Sequence, residues 1–237
     1  HLWTRRQRQM CIRDSGYIAM YEKLLGPYPY RKFALVENFW ESGLGMPSFT
    51  LLGSRVIRLP FILDSSFPHE ILHNWWGNGV YVDPRLGNWS EGLTSYLADH
   101  LVQAQRGAGA RYRRMALTRY RNYVSREDDF PLVHFRGGHR ARTQAVGYNK
   151  TLMLAHMVRH RMGDTAFKAG LAAFFERFRF QRATFMDWAR AMSESADAPL
   201  ESFIEAWIQR PGAPALELLA PRQSRDGDRH HLTFELR

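Results

Sequence analysis

The sequence predicts a mostly α-helical α+β fold, on three observations. Hydrophobic residues make up 45% of the 237-residue chain and aromatic residues 14%, enough apolar material for a packed core. Segments with apolar residues at helical spacing recur between residues 90 and 210. Strand-like stretches stand near the beginning, within residues 33–58, and again after residue 213.

The elements follow in order. Residues 1–15, HLWTRRQRQMCIRDS, show neither helical nor strand periodicity and carry Arg5, Arg6, Arg8 and Arg13. They read as a disordered basic leader or, more sharply, as translated sequencing-adapter read-through, to be set aside from the fold together with Cys11. The natural start of the protein, with any signal peptide or preceding domain, then lies upstream. From Gly16 a helix is expected, ending at Gly26. FALVENFW reads as a strand, ESGLGMP as a Gly-rich turn, and SFTLLGSRVIRLP as a further strand or an irregular segment.

His69–Trp76 is helical by pattern, and the stretch with Gly77, Gly79, Pro84 and Gly87 is a loop. A helix follows with Ser90 as its N-cap. Others are expected over residues 109–125, 147–162, 164–178 and 184–195, and a last one stops at Pro211-Gly212. Beyond it, alternation around an Asp-Gly turn signals a β-hairpin, read as the start of a truncated β domain over 213–237. The main domain is then residues 16–212.

Charge and composition narrow the partners. The formal net charge is +10, and 29 of the 33 basic residues are Arg. They are scattered along helices and turns, without the basic stripe interleaved with stacking aromatics that single-stranded nucleic acid requires, so no nucleic-acid partner is expected. The one cysteine forms no internal disulfide. No apolar run approaches the roughly 20 residues of a membrane span. Oligomeric state is left open.

His69-Glu70-Ile71-Leu72-His73 carries the chemistry. Residues i and i+4 share a helix face, so both imidazoles can point at one ion. Zinc favours imidazole nitrogen and keeps an open position for water in catalytic sites. Glu70, beside the first ligand, can take a proton from that water. Glu91 is the candidate third ligand, with 17 residues between it and His73, across the Gly-rich loop. The rival reading is a pair of buried histidines at helical spacing. His156 and His160 show the same spacing without the glutamate, and read as a solvated or hydrogen-bonded pair.

The wider pattern, HEILHNWWGN followed by NWSEGLTSYLADH, resembles the membrane alanine aminopeptidase family, zinc exopeptidases that include aminopeptidase N. The family shows H-E-x-x-H, then x-W-F-G-N, then N-E-G-F-x-x-Y after a spacer one residue longer than here. The resemblance implies a thermolysin-like catalytic domain of the gluzincin type, one Zn²⁺, and peptide substrates with a free N-terminus. It also implies roles for three further residues. Tyr148, in GYNKT, matches the family's Y-x-K-G tyrosine that stabilises the oxyanion, with Thr151 in place of the usual glycine. Glu37 and Asn38, in ALVEN, match the Glu-Asn of G-A-M-E-N, whose glutamate holds the substrate's α-amino group. The alternatives are a core tyrosine at 148 and a solvated strand-edge glutamate at 37, with Glu41 as substitute if the register slips. The leading expectation is therefore a zinc metalloaminopeptidase. A zinc hydrolase without strict exopeptidase specificity and a non-catalytic scaffold of the same fold stand behind it.

Overall fold

The computed structural model describes the backbone of every residue except His1, His139 and Ala215, and the side chains outside residues 1–11. The readings placed on Cys11, Arg5, Arg6 and Arg8 as side chains thus lie outside the described residues. The first helix, α1 (Leu2–Leu25), begins ahead of the Gly16 start that the apolar spacing suggests. Its anchored part is the later one, where Tyr17, Tyr21 and Leu25 are buried at helical spacing. The tyrosine hydroxyls tie α1 to the segment over residues 63–68: Tyr17 donates to the Leu63 carbonyl at 2.8 Å and Tyr21 to that of Pro68 at 3.2 Å.

A small sheet comes next, formed by β1 (Ala34–Asn38), β2 (Gly43–Met46) and β3 (Phe49–Gly53) in the order β1-β3-β2. β1 runs parallel to β3, while β2 and β3 form an antiparallel hairpin. The Gly-rich segment is therefore a strand, not the turn expected from its glycines. It is also the strand that meets α2 (Ser66–Leu72), the helix carrying His69 and Glu70. Only glycine permits that approach. A Cβ on Gly43 would stand 2.4 Å from Glu70 Oε1, and one on Gly45 2.4 Å from the His73 Cβ.

His73 itself is the C-cap of α2. The orphaned carbonyls of that end are met by asparagines: Asn74 Nδ2 donates to Ile71 O, and Asn78 Nδ2 to both His73 O and Gly45 O. The loop beyond is partly ordered by β4 (Tyr81–Val82), which pairs with β5 (Arg182–Ala183). The next helix, α3 (Trp89–Thr94), is capped by Asn88, whose side chain accepts from the Ser90 amide; Ser90 is not the cap. α3 runs through a wide π turn at Ser95–His100 into α4 (Leu101–Gln105). After α5 (Gly109–Tyr123), the same device recurs: α6 (Ala141–Gln144) passes through a π turn at Ala145–Lys150 into α7 (Thr151–Met162).

α8 (Asp164–Phe178), α9 (Phe185–Ala196) and α10 (Glu201–Gln209) complete the helical body. α9 opens on a full capping box between Thr184 and Asp187. The core lies directly under the histidine helix. Trp75, Trp76, Trp89, Phe174 and Trp188 are fully buried, and Trp76 meets Trp89 edge-to-face at 5.8 Å between ring centroids. β6 (Leu218–Asp226) and β7 (Arg229–Leu236) form the expected hairpin around Gly227-Asp228. Among the described residues no helix is long and apolar enough to cross a membrane.

Candidate metal centre and active site

α2 presents His69 and His73 on one face, and the first turn of α3 brings Glu91 against them. Glu91 Oε2 lies 3.4 Å from Nε2 of each histidine, and the three donor atoms stand within 4.8 Å of one another. Two imidazole nitrogens and one carboxylate oxygen form the donor set of a catalytic zinc site with an open position, so the residues present fit the ion. Each histidine is oriented through its other nitrogen. His69 Nδ1 is 2.7 Å from Asp99 Oδ2, and His73 Nδ1 is 2.9 Å from the Trp76 carbonyl. Both rings thereby direct Nε2 at the same point.

The electrostatics agree. Burial opposes charge on both rings, yet the surrounding carboxylates together outweigh it, Asp99 with Glu91 and Glu70 at His69 and Glu91 with Glu70 at His73, so both are held above the usual imidazole value. Burial also pulls Glu91 upward, but the adjoining His73 and His69 hold it well below the carboxylate range. Protons would compete with a metal ion for the two imidazoles, so metal affinity should fall as pH drops.

Glu70 points into the same space from the α2 face that β2 covers and is only 8% exposed. Burial raises its pKa, against the pull of the two histidines. Tyr148, in the second π turn, stacks 6.3 Å from His69 at an interplanar angle of 16°. Burial and then the negative charge of Glu91 push its phenol up, which keeps the proton on oxygen.

These groups line a cavity of about 560 Å³ that continues into a second of about 350 Å³, with Gly43, His69, Glu70 and Tyr148 shared by both. Glu37 and Asn38 line neither. β1 is the far strand of the sheet, separated from α2 by β3 and β2, and Glu37 pairs with Arg58 at 2.7 Å. The Asn38 carbonyl receives the Ser54 amide. Glu41 does not reach the cavity either; its carboxylate accepts the Arg55 and Val56 amides. The strand facing the site carries Gly43-Leu44-Gly45-Met46 instead.

Of the 156/160 pair, read as solvated or hydrogen-bonded, His156 Nδ1 bonds Tyr96 Oη at 3.1 Å. Asp99 is the site residue that pattern reading missed. Replacing it with asparagine keeps the shape and removes the charge behind His69. Zinc affinity should fall by about 10- to 100-fold, read by competition with a chromogenic chelator. Unchanged affinity would show that the contact does not orient the ligand.

The model of the peptidase family M1 domain matches residues 64–207, more than half of the chain. The chain belongs to peptidase family M1. Among M1 relatives, it is 26% identical to aminopeptidase N of Lactococcus lactis over 160 residues, covering 62% of this chain and 18% of that protein. With the alanine/arginine aminopeptidase of Saccharomyces cerevisiae it shares 24% over 209 residues, 81% of this chain and 24% of the yeast protein. Solved M1 folds superpose as well. The M1 zinc metallopeptidase of Deinococcus radiodurans gives a TM-score of 0.66 at 21% identity, over 86% of this chain and 45% of that one. Leukotriene A4 hydrolase of S. cerevisiae gives 0.68 at 19%, over 84% and 35%. The chain thus spans a quarter or less of the two aminopeptidases and under half of either solved structure.

Proposed function

We propose that this chain is the hydrolytic core of a zinc-dependent metalloaminopeptidase that releases N-terminal residues from peptides. The observation that supports it is the convergence of His69, His73 and Glu91 beside a buried Glu70 and a protonated Tyr148. His69, His73 and Glu91 would hold one Zn²⁺, which when bound would supply a Lewis acid for the scissile carbonyl and lower the pKa of water. Glu70 takes a proton from the water; its raised pKa then suits it to deliver the proton to the departing amine. Tyr148 donates a hydrogen bond to the oxygen that gains charge. Tight packing of β2 against Glu70 leaves that carboxylate little room to turn aside.

The proposal does not extend to Glu37 and Asn38, because the sheet carries them away from the cavity and Arg58 already engages Glu37. That placement favours a second reading, a zinc peptidase indifferent to a free α-amine. One experiment addresses both. Aminoacyl arylamides and free-amine peptides should be hydrolysed, chelation should abolish turnover, and added zinc should restore it. Activity that survives chelation refutes the zinc mechanism, and equal cleavage of N-acetylated and free-amine peptides selects the second reading.

A further inference from the structure

The two lobes of the cavity differ in charge. Among the described residues, the smaller lobe, lined by Leu44, Gly45, Asn78 and Asn88 among others, has no basic side chain besides His69 and His73, and the larger one has a single lysine or arginine, Arg119. Arg119 belongs to a stripe on α5: Tyr112, Ala116, Arg119 and Tyr123 recur at helical spacing, Ala116 faces the core, and the other three line the lobe. Among the described residues no carboxylate pairs with Arg119. The two carboxylates of that lobe are otherwise placed, Asp99 on His69 and Glu70 beneath Gly43. Arg119 thus lines the site from a solvent-exposed position, with no carboxylate of the described residues against its charge.

Strand direction says which part of a peptide would meet it. β2 is the open edge of its sheet, and it runs from Ser42, in the larger lobe, to Gly45, in the smaller one. Ser42 accepts from Gly53, so ladder alternation turns the Gly43 peptide groups to the open side. An extended peptide added antiparallel to this edge runs from the Gly45 end to the Ser42 end. Its N-terminal part occupies the smaller lobe, and the part beyond the scissile bond enters the larger one.

We propose that Arg119 is a carboxylate-binding, specificity-determining residue for the leaving-group side of the substrate. It pairs with the C-terminal α-carboxylate of a short peptide, or with an Asp or Glu side chain after the scissile bond. The assignment rests on the peptidase reading for the orientation of the chain, so its test reads binding without turnover. Calorimetry, with turnover blocked in every protein by Glu70→Gln, would compare Ala-Ala-Ala, Ala-Ala-Ala-amide and Ala-Asp-Ala-amide, with wild-type Arg119 and with Arg119→Gln and Arg119→Lys. Wild type should bind one or both carboxylate peptides about tenfold or more tightly than the neutral amide, as a charge-assisted bond requires. Arg119→Gln should erase that preference, Arg119→Lys should keep part of it, and affinity for the neutral amide should stay unchanged in both. The two carboxylate peptides tell the terminal source from the side-chain source. Equal affinity of wild type for all three, or a preference that survives Arg119→Gln, overturns the proposal whether or not the protein hydrolyses peptides. A loss of affinity common to all three peptides in Arg119→Gln would mark a structural role and overturn it as well.

Discussion

Glu70→Gln is expected to abolish peptide hydrolysis and to leave the metal site intact. The amide has the shape of the carboxylate but cannot accept a proton, and proton transfer by a positioned side chain is worth about 10²- to 10⁴-fold. Glu70 is not one of the three converging donors, so the metal content of the variant should match wild type. Stability should hold or rise, because a carboxylate this deeply buried is a desolvated charge that the fold carries for function. The combination is the informative part: turnover down by at least a hundredfold, zinc unchanged, Tm equal or higher. Turnover within tenfold of wild type would remove Glu70 from the chemistry, and zinc loss would make it part of the coordination instead.

Gly92→Ala is the second large expected effect, and it acts through packing alone. A Cβ at Gly92 would fall 2.2 Å from the Thr151 Cβ and 3.0 Å from the Gly147 carbonyl oxygen. α3 and the π turn ahead of α7 must then move apart, and they carry Glu91 and Tyr148. Overpacking of this kind costs about 1–3 kcal/mol. In a chain of this size each kcal/mol lowers Tm by roughly 2–4 °C. Zinc affinity should drop along with Tm, since Glu91 is adjacent. Adding Thr151→Gly removes the clashing atoms, so the double variant should regain most of both losses. Additive losses in the double variant would show that the contact is not the cause. Thr151 stands where the resemblance leads one to expect glycine, so the two helices meet here with one glycine rather than two.

Sequence reading and structure part company at identifiable places. The histidine pair was legible because i, i+4 spacing on a helix is a local property, and α2 delivers it without help from the rest of the fold. The helices of the body were legible for the same reason; the one expected over residues 184–195 is α9, Phe185–Ala196, with Thr184 as its cap. The site strand was not. ALVEN has the composition of a strand and ends in Glu-Asn, whereas GLGM has the composition of a turn; yet GLGM is the strand that can lie flush on a helix, because it lacks side chains there. A Gly-x-Gly alternation bounded by strand residues was the available signal. Asp99 was hidden differently. It follows Glu91 by eight positions, which on an ideal helix puts it about 80° off the Glu91 face. The π turn at Ser95–His100 swings it back toward His69. Arg119 was one arginine among 29, and only the tertiary placement of α5 tells it from the rest.

Those two π turns set a rule for how this site tolerates change. The loop between β4 and α3 lies between elements anchored independently, so a residue gained or lost there is taken up locally. Each π turn holds one residue more than an ordinary helical turn, so a single deletion inside Ser95–His100 that spares Asp99 would leave Glu91 and Asp99 seven positions apart, only about 20° off a common face on an ideal helix. The same deletion in the ordinary helix beside either turn rotates everything beyond it by about 100°. The π turns are therefore the places where these two helices can lose a residue and keep phase, and a chimera joined across either turn must keep the extra residue or drop it within the turn.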